Sequence, residues 1–143
     1  MKVIIGCDHA GYDHKLSVKT YLKNNNIKLE DLGADNCNSV DYPDYAHAVA
    51  KEVQKDVNNR GVLVCGSANG VAITANKHKG IRAAICWNEE TAKLAVTHND
   101  ANIICIPARF ITIDVQRKIL DNFFKSEFEG GRHKKRVEKI DLD

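Results

Sequence analysis

Cys65 ends the apolar run Val62-Leu63-Val64-Cys65 and is followed at once by Gly66-Ser67-Ala68-Asn69-Gly70. A thiol so placed has two readings. Free cysteine commonly serves as a small buried hydrophobe. Where the next residues open a helix, the free N–H groups of its first turn and its dipole favour an anion, and they can draw a thiol pKa toward neutrality. Such a thiol can act as a base or a nucleophile. Cys7, Cys37, Cys86 and Cys105 keep the first reading.

Asp8 and His9 follow another apolar run, Val3 to Cys7. Either they are a polar pair leading into a helix, or they supply a carboxylate and an imidazole for acid/base work. His98 stands at the end of a helical stretch, where an imidazole is favourable against the dipole and by itself implies no catalysis. In Glu129-Gly-Gly-Arg132-His-Lys-Lys-Arg136 the two arginines are four apart, on one face of any helix, where two guanidinium forks can grip a phosphate. The alternatives are a solvated basic helix end or a nucleic-acid patch. The latter lacks interleaved aromatics and any basic excess, since 21 basic and 19 acidic residues leave a net charge of +2.

The elements that must position these groups follow from periodicity. Val3–Cys7, 62–66 and 103–107 are short, branched, apolar runs of the kind buried on both faces of a parallel sheet, and 27–33 and 81–86 complete a set of five strands. Helical stretches fall between them at 12–24, 43–57, 69–78, 88–98 and 112–125. This alternation predicts an α/β fold, a three-layer α/β/α sandwich around a five-stranded parallel, Rossmann-like sheet. The chain's 143 residues suit one domain, with a helical tail from about residue 130.

In a doubly wound sheet the ligand crevice opens where the winding reverses, at the carboxyl ends of the first and third strands. That juxtaposes Asp8-His9 with Cys65–Gly70. His98 precedes the fifth strand and so belongs at the opposite, amino edge.

Other classes find less support. Neither loop has the G-x-G-x-x-G or G-x-x-x-x-G-K-[ST] pattern of a nucleotide site. The six histidines show no i,i+4 pair and no H-E-x-x-H, so no metal and no cofactor is expected. No run is long enough to span a bilayer or to serve as a signal peptide, and five cysteines without a C-x-x-C suggest reduced thiols; a soluble, cytoplasmic protein is expected.

GCDHAGY, DYPDYA, VCGSANGVAITANKHKGIRAA, HNDANI and EGGRHKKRV, in this order along nearly the whole chain, resemble the ribose-5-phosphate isomerase B family, which includes galactose-6-phosphate and allose-6-phosphate isomerases. The resemblance implies an aldose–ketose isomerase of phosphorylated sugars, a homodimer or dimer of dimers whose active sites draw on both subunits. It implies Cys65 as the proton-abstracting base and His98 as the ring-opening proton donor. It assigns substrate binding to Asp8, His9, Gly66, Ser67, Ala68, Asn69, Gly70, Asn99, Arg109, Arg132 and Arg136, with Tyr42 near the sugar. Ser67 stands where many members have threonine, keeping the hydroxyl and losing a methyl.

Chemically, moving a carbonyl to the adjacent carbon requires one base to remove and return a carbon-bound proton through an enediolate. The amides of Gly66–Gly70 and the Ser67 hydroxyl suit that oxyanion. The arginines and His9 suit the phosphate. A hexose-6-phosphate isomerase and a non-catalytic sugar-phosphate-binding module are the competing readings.

Overall fold

The computed structural model describes residues 1–142. Five parallel strands, β1 (Lys2–Cys7), β2 (Lys28–Asp31), β3 (Arg60–Cys65), β4 (Ala83–Ile85) and β5 (Ile103–Pro107), form one sheet in the order β2-β1-β3-β5-β4. The helices are α1 (Tyr12–Asn24), α2 (Tyr42–Val53), α3 (Asn69–Ala75), α4 (Glu89–Thr97), α5 (Ile113–Lys125) and α6 (Gly131–Val137), with a 3₁₀ turn at His9–Gly11. The expected α/β/α sandwich is therefore present. β1 and β3 are neighbours, with Val3 opposite Arg60 and Cys7 opposite Val64.

Two cores explain why the strands read as continuous apolar runs. Val3, Ile5, Val62, Val64, Ile104 and Ile106 pack with Val18, Leu22, Ile119, Leu120 and Phe123 on the α1, α4 and α5 side. The alternate residues Ile4, Leu63, Ile103 and Cys105 pack with Val49, Val53, Val71 and Ala75 on the α2 and α3 side. The three central strands β1, β3 and β5 are thus buried on both faces, as expected inside a parallel sheet, and the edge strands β2 and β4 are only partly buried. Cys65 belongs to the α2/α3 core.

Two helices are shorter than their periodicity suggests. α2 stops at Val53 because the Asn59 amide donates to the Glu52 carbonyl and the Asp56 carboxylate accepts from the Asn58 N–H, which folds 54–59 into a turn. α3 stops at Ala75 because the Asn76 side chain pairs with both backbone groups of Ala83, at 2.9 and 2.8 Å, and so turns the chain into β4.

The exit of β2 is held by a buried cation. Lys15, on α1, is 1% exposed. Its Nζ donates to Asp31 Oδ1 at 2.8 Å and to the Ala34 carbonyl at 2.6 Å. Lys19 takes the other Asp31 oxygen at 2.9 Å. Cys7 N–H donates to the Gly33 carbonyl, so this clamp fixes the chain leaving β2 against the end of β1.

Burial works to raise the Asp31 pKa, but hydrogen bonds from Lys15, Lys19 and the Gly33 N–H outweigh it and hold the carboxyl below its ordinary value. The stabilisation from Asp31 is therefore complete above the unfolded carboxylate pKa and disappears as pH falls through the lower folded one. Asp31→Ala strands the Lys15 ammonium in the interior and should cost about 3–5 kcal/mol at neutral pH. Denaturant unfolding should show that difference shrinking in acid, and an unchanged midpoint at neutral pH would contradict the clamp.

Candidate active site

The 3₁₀ turn after β1 lies directly on the end of β3. A Cβ on Gly11 would sit 2.4 Å from the Val64 carbonyl oxygen, so only glycine permits this contact. The Asp8 N–H donates to the same carbonyl at 3.2 Å. Asp8, 7% exposed, caps the turn by accepting the Gly11 N–H on Oδ1 at 3.0 Å. Its other oxygen, Oδ2, accepts the Cys65 thiol at 3.0 Å.

This bond changes the expected state of Cys65. The helix-start argument predicts a lowered thiol pKa, and the structure overturns it. Burial, then the hydrogen bond to Asp8 and its negative charge, push the thiol up to about 11; the Ala68 and Gly66 N–H groups act the other way and are outweighed. The free protein holds a thiol donating to a carboxylate.

The loop after Cys65 is packed from both sides. A Cβ on Gly66 would meet the Arg109 guanidinium at 3.1 Å, and one on Gly70 would meet the Tyr42 ring at 2.4 Å. Arg109 arrives there because its N–H donates to the Gly66 carbonyl, and the Ala108 N–H to the Cys65 carbonyl, continuing the β3–β5 pairing past Pro107. Tyr42 begins α2 and is delivered by the chain that Lys15 clamps. Ala68 is buried with φ at 65°, a left-handed conformation that turns the chain into α3. Ser67 and Asn69 are exposed, and Ser67 Oγ accepts the Asn69 N–H at 3.3 Å. His9 lies in the adjacent turn, its Nδ1 3.5 Å from the Val40 N–H.

Asp8, His9, Tyr42, Cys65–Gly70 and Arg109 thus gather at the carboxyl edge of the sheet. The remaining expected residues do not. Cys65 is in register with Pro107, the last residue of β5, whereas His98 caps the C-terminus of α4 before Ile103, the first. The intervening strand separates the two ends by roughly 13 Å at the usual rise per residue.

The His98 ring stacks on His133 of α6, with centroids 4.1 Å apart. Arg132 and Arg136 are exposed on that helix, with Arg136 Nη1 3.4 Å from the Arg132 carbonyl. Asn99 borders a depression with Lys77, Arg82 and Ile140. The arginines expected to act together are therefore divided, Arg109 with Cys65 and the other two with His98.

Spacing does not single out His133 and Glu129. Their approach to His98 depends on two successive glycines of positive φ, Gly130 at 65° and Gly131 at 51°. The available signal is the run Glu129-Gly-Gly-Arg-His133, in which a Gly-Gly turn stands between the two side chains.

The family model "Ribose/Galactose Isomerase" matches residues 3–140. The chain is 42% identical to the probable ribose-5-phosphate isomerase B of Mycoplasma pneumoniae over 139 residues, 96% of this chain and 91% of that one. The crystal structure of a ribose 5-phosphate isomerase from Thermotoga maritima superposes with a TM-score of 0.95 at 43% identity, covering 98% and 97% of the two chains. Ribose-5-phosphate isomerase B from Mycoplasma genitalium, solved with bound ribulose-5-phosphate, superposes with a TM-score of 0.94 at 41% identity, covering 97% and 93%. Among the described residues no helix is long and apolar enough to cross a membrane.

The thiol state is directly measurable. At neutral pH, Cys65 should be alkylated far more slowly than exposed Cys37, and its rate should climb into the alkaline range as the thiolate forms. Asp8→Asn removes the negative charge and should move that climb to lower pH. Mass-spectrometric labelling that finds Cys65 fully reactive at neutral pH would contradict the Asp8 bond. The sheet order, the contact between the ends of β1 and β3, and a family model that matches nearly end to end lead to one conclusion: the chain belongs to the ribose/galactose isomerase family.

Proposed function

We propose that the chain interconverts ribose-5-phosphate and ribulose-5-phosphate through an enediolate, with no metal and no cofactor. The observation that carries this is the Cys65 thiol held by Asp8 at the mouth of the crevice. The relative solved with ribulose-5-phosphate supports the choice of sugar.

In this mechanism Cys65, as thiolate, takes the proton from the carbon beside the carbonyl and returns it to the adjacent carbon. A base whose pKa is near 11 is strong, and the cost is its small population at neutral pH. Substrate relieves that cost when Asp8 turns its hydrogen bonding to a sugar hydroxyl, which removes one cause of the raised pKa. The Ser67 hydroxyl and the loop amides receive the enediolate oxygen. His98 protonates the ring oxygen as the cyclic sugar opens.

The two groups of residues lie at opposite edges of one sheet, so a complete site needs two chains. A homodimer, alone or as half of a dimer of dimers, brings His98, Asn99, Arg132 and Arg136 of one protomer to the Cys65 crevice of the other. Arg132 and Arg136 then hold the phosphate.

Cys65→Ala should abolish turnover while leaving the fold intact, and Cys86→Ala should remain active. Assays of the unmodified chain on ribose-5-phosphate, allose-6-phosphate and galactose-6-phosphate should show the pentose turned over fastest. Run in deuterated water with chelator present, the reaction should place deuterium on the carbon that gains a proton. A folded Cys65→Ala chain with near-normal turnover would sink the base assignment, and a hexose preference would change the substrate.

Mixing separates a shared site from a self-contained one. Cys65→Ala and Arg136→Ala chains, each weak alone, should recover activity after subunit exchange, because each mixed dimer contains one site with both residues. With exchange confirmed independently, persistent low activity would place both residues in one chain's site.

A further inference from the structure

His98, Glu129 and His133 come from separate places in the sequence and converge on one point. Glu129 Oε2 lies 3.9 Å from His98 Nε2 and 3.8 Å from His133 Nε2, and the three donor atoms all fall within 4.8 Å of one another. The arrangement is held by backbone as well as side chain. The Glu129 N–H donates to the Thr97 carbonyl at 3.0 Å, which fixes the segment before α6 against the end of α4. The positive φ of Gly130 and Gly131 then turns the chain so that His133 stacks on His98. His133 is nearly buried, while His98 and Glu129 are partly open to water.

The geometry points to a binding site for a divalent transition metal, zinc first, made of His98 Nε2, His133 Nε2 and a Glu129 carboxylate oxygen. Two imidazoles and a carboxylate form a three-ligand set used for zinc, with a fourth position left to water. Here the exposed side of His98 and Glu129 provides that position. Tetrahedral ligands about 2.0–2.1 Å from zinc lie roughly 3.3 Å apart, so Glu129 must close on each imidazole by about half an ångström, the two imidazole nitrogens by up to about 1.5 Å, and the rings must rotate out of their parallel stack. Exposed Glu129 can make its own approach, and the ring rotation falls to His98, the more open of the two imidazoles.

Imidazole donors select zinc, copper or nickel over magnesium or calcium. Arg132 and Arg136 on the same helix oppose a cation, which sets the affinity below that of a structural zinc site. The His47–His78 pair, with nitrogens 2.8 Å apart, is the competing locus, but among the described residues no carboxylate completes a three-donor set with it. A metal held here occupies the Nε2 lone pair of His98, so that nitrogen cannot carry a proton while the metal is bound. The binding itself does not depend on the isomerase reading.

Titration of the chelator-treated full chain with zinc chloride in phosphate-free buffer, followed by calorimetry, should show one saturable site per chain. Glu129→Gln and His133→Gln should each weaken it roughly 10- to 100-fold or more, and His47→Gln should leave it unchanged. Glu129 is exposed, so its variant keeps the test valid if the His133 variant folds poorly. Cobalt(II) should give the visible bands of a nitrogen and oxygen site without thiolate charge transfer. The assignment is overturned by absence of saturable uptake, by uptake that survives Glu129→Gln at full strength or follows His47→Gln, or by a thiolate band.

Discussion

The seating of the 3₁₀ turn on the end of β3 governs the arrangement of side chains at the carboxyl edge of the sheet. Gly11 touches the Val64 carbonyl where a side chain would collide, and the Asp8 N–H bonds to the same oxygen. Parallel pairing of β1 with β3 brings the two strand ends level; the glycine contact converts that level into direct contact between loops. Without it, Asp8 would not reach Cys65, and the thiol would be one more buried cysteine in the α2/α3 core. Lys15 works toward the same end from the other side by fixing the chain that carries Tyr42 to Gly70.

Most of the architecture was legible because its causes are local. Branched apolar runs separated by helical periodicity gave the five strands and the placement of α1, α4 and α5 almost residue by residue. The placement of His98 at the edge away from Cys65 followed from the direction of a parallel strand. Helix ends were less legible where side chains decided them: Asn59 and Asn76 stop α2 and α3 through hydrogen bonds to residues a turn or a strand away. The placement of β4 at the sheet edge, outside β5, has no signature in either strand's own sequence.

The site was legible as a list and not as an electrostatic environment. Spacing marks Cys65 as preceding a helix, and the helix-start rule then predicts a lowered pKa. The rule counts N–H groups and omits what comes from elsewhere. Asp8 lies 57 positions away, and its carboxylate on the thiol outweighs the backbone donors. Glu129 and His133 escaped for a similar reason, since their relation to His98 depends on a Gly-Gly turn whose hand the sequence does not declare.

The loop from Gly66 to Gly70 has an alternating character with a bearing on how such a pocket can diversify. Gly66 is closed by Arg109, Ala68 is buried at positive φ, and Gly70 is closed by the Tyr42 ring. Ser67 and Asn69 between them face outward. Mutational freedom is therefore confined to every second residue: three positions are locked by packing, and two can vary without disturbing the frame. Because the proposed reaction uses the Ser67 hydroxyl, a library meant to reshape this loop should randomise 69 and leave the other four positions as they are.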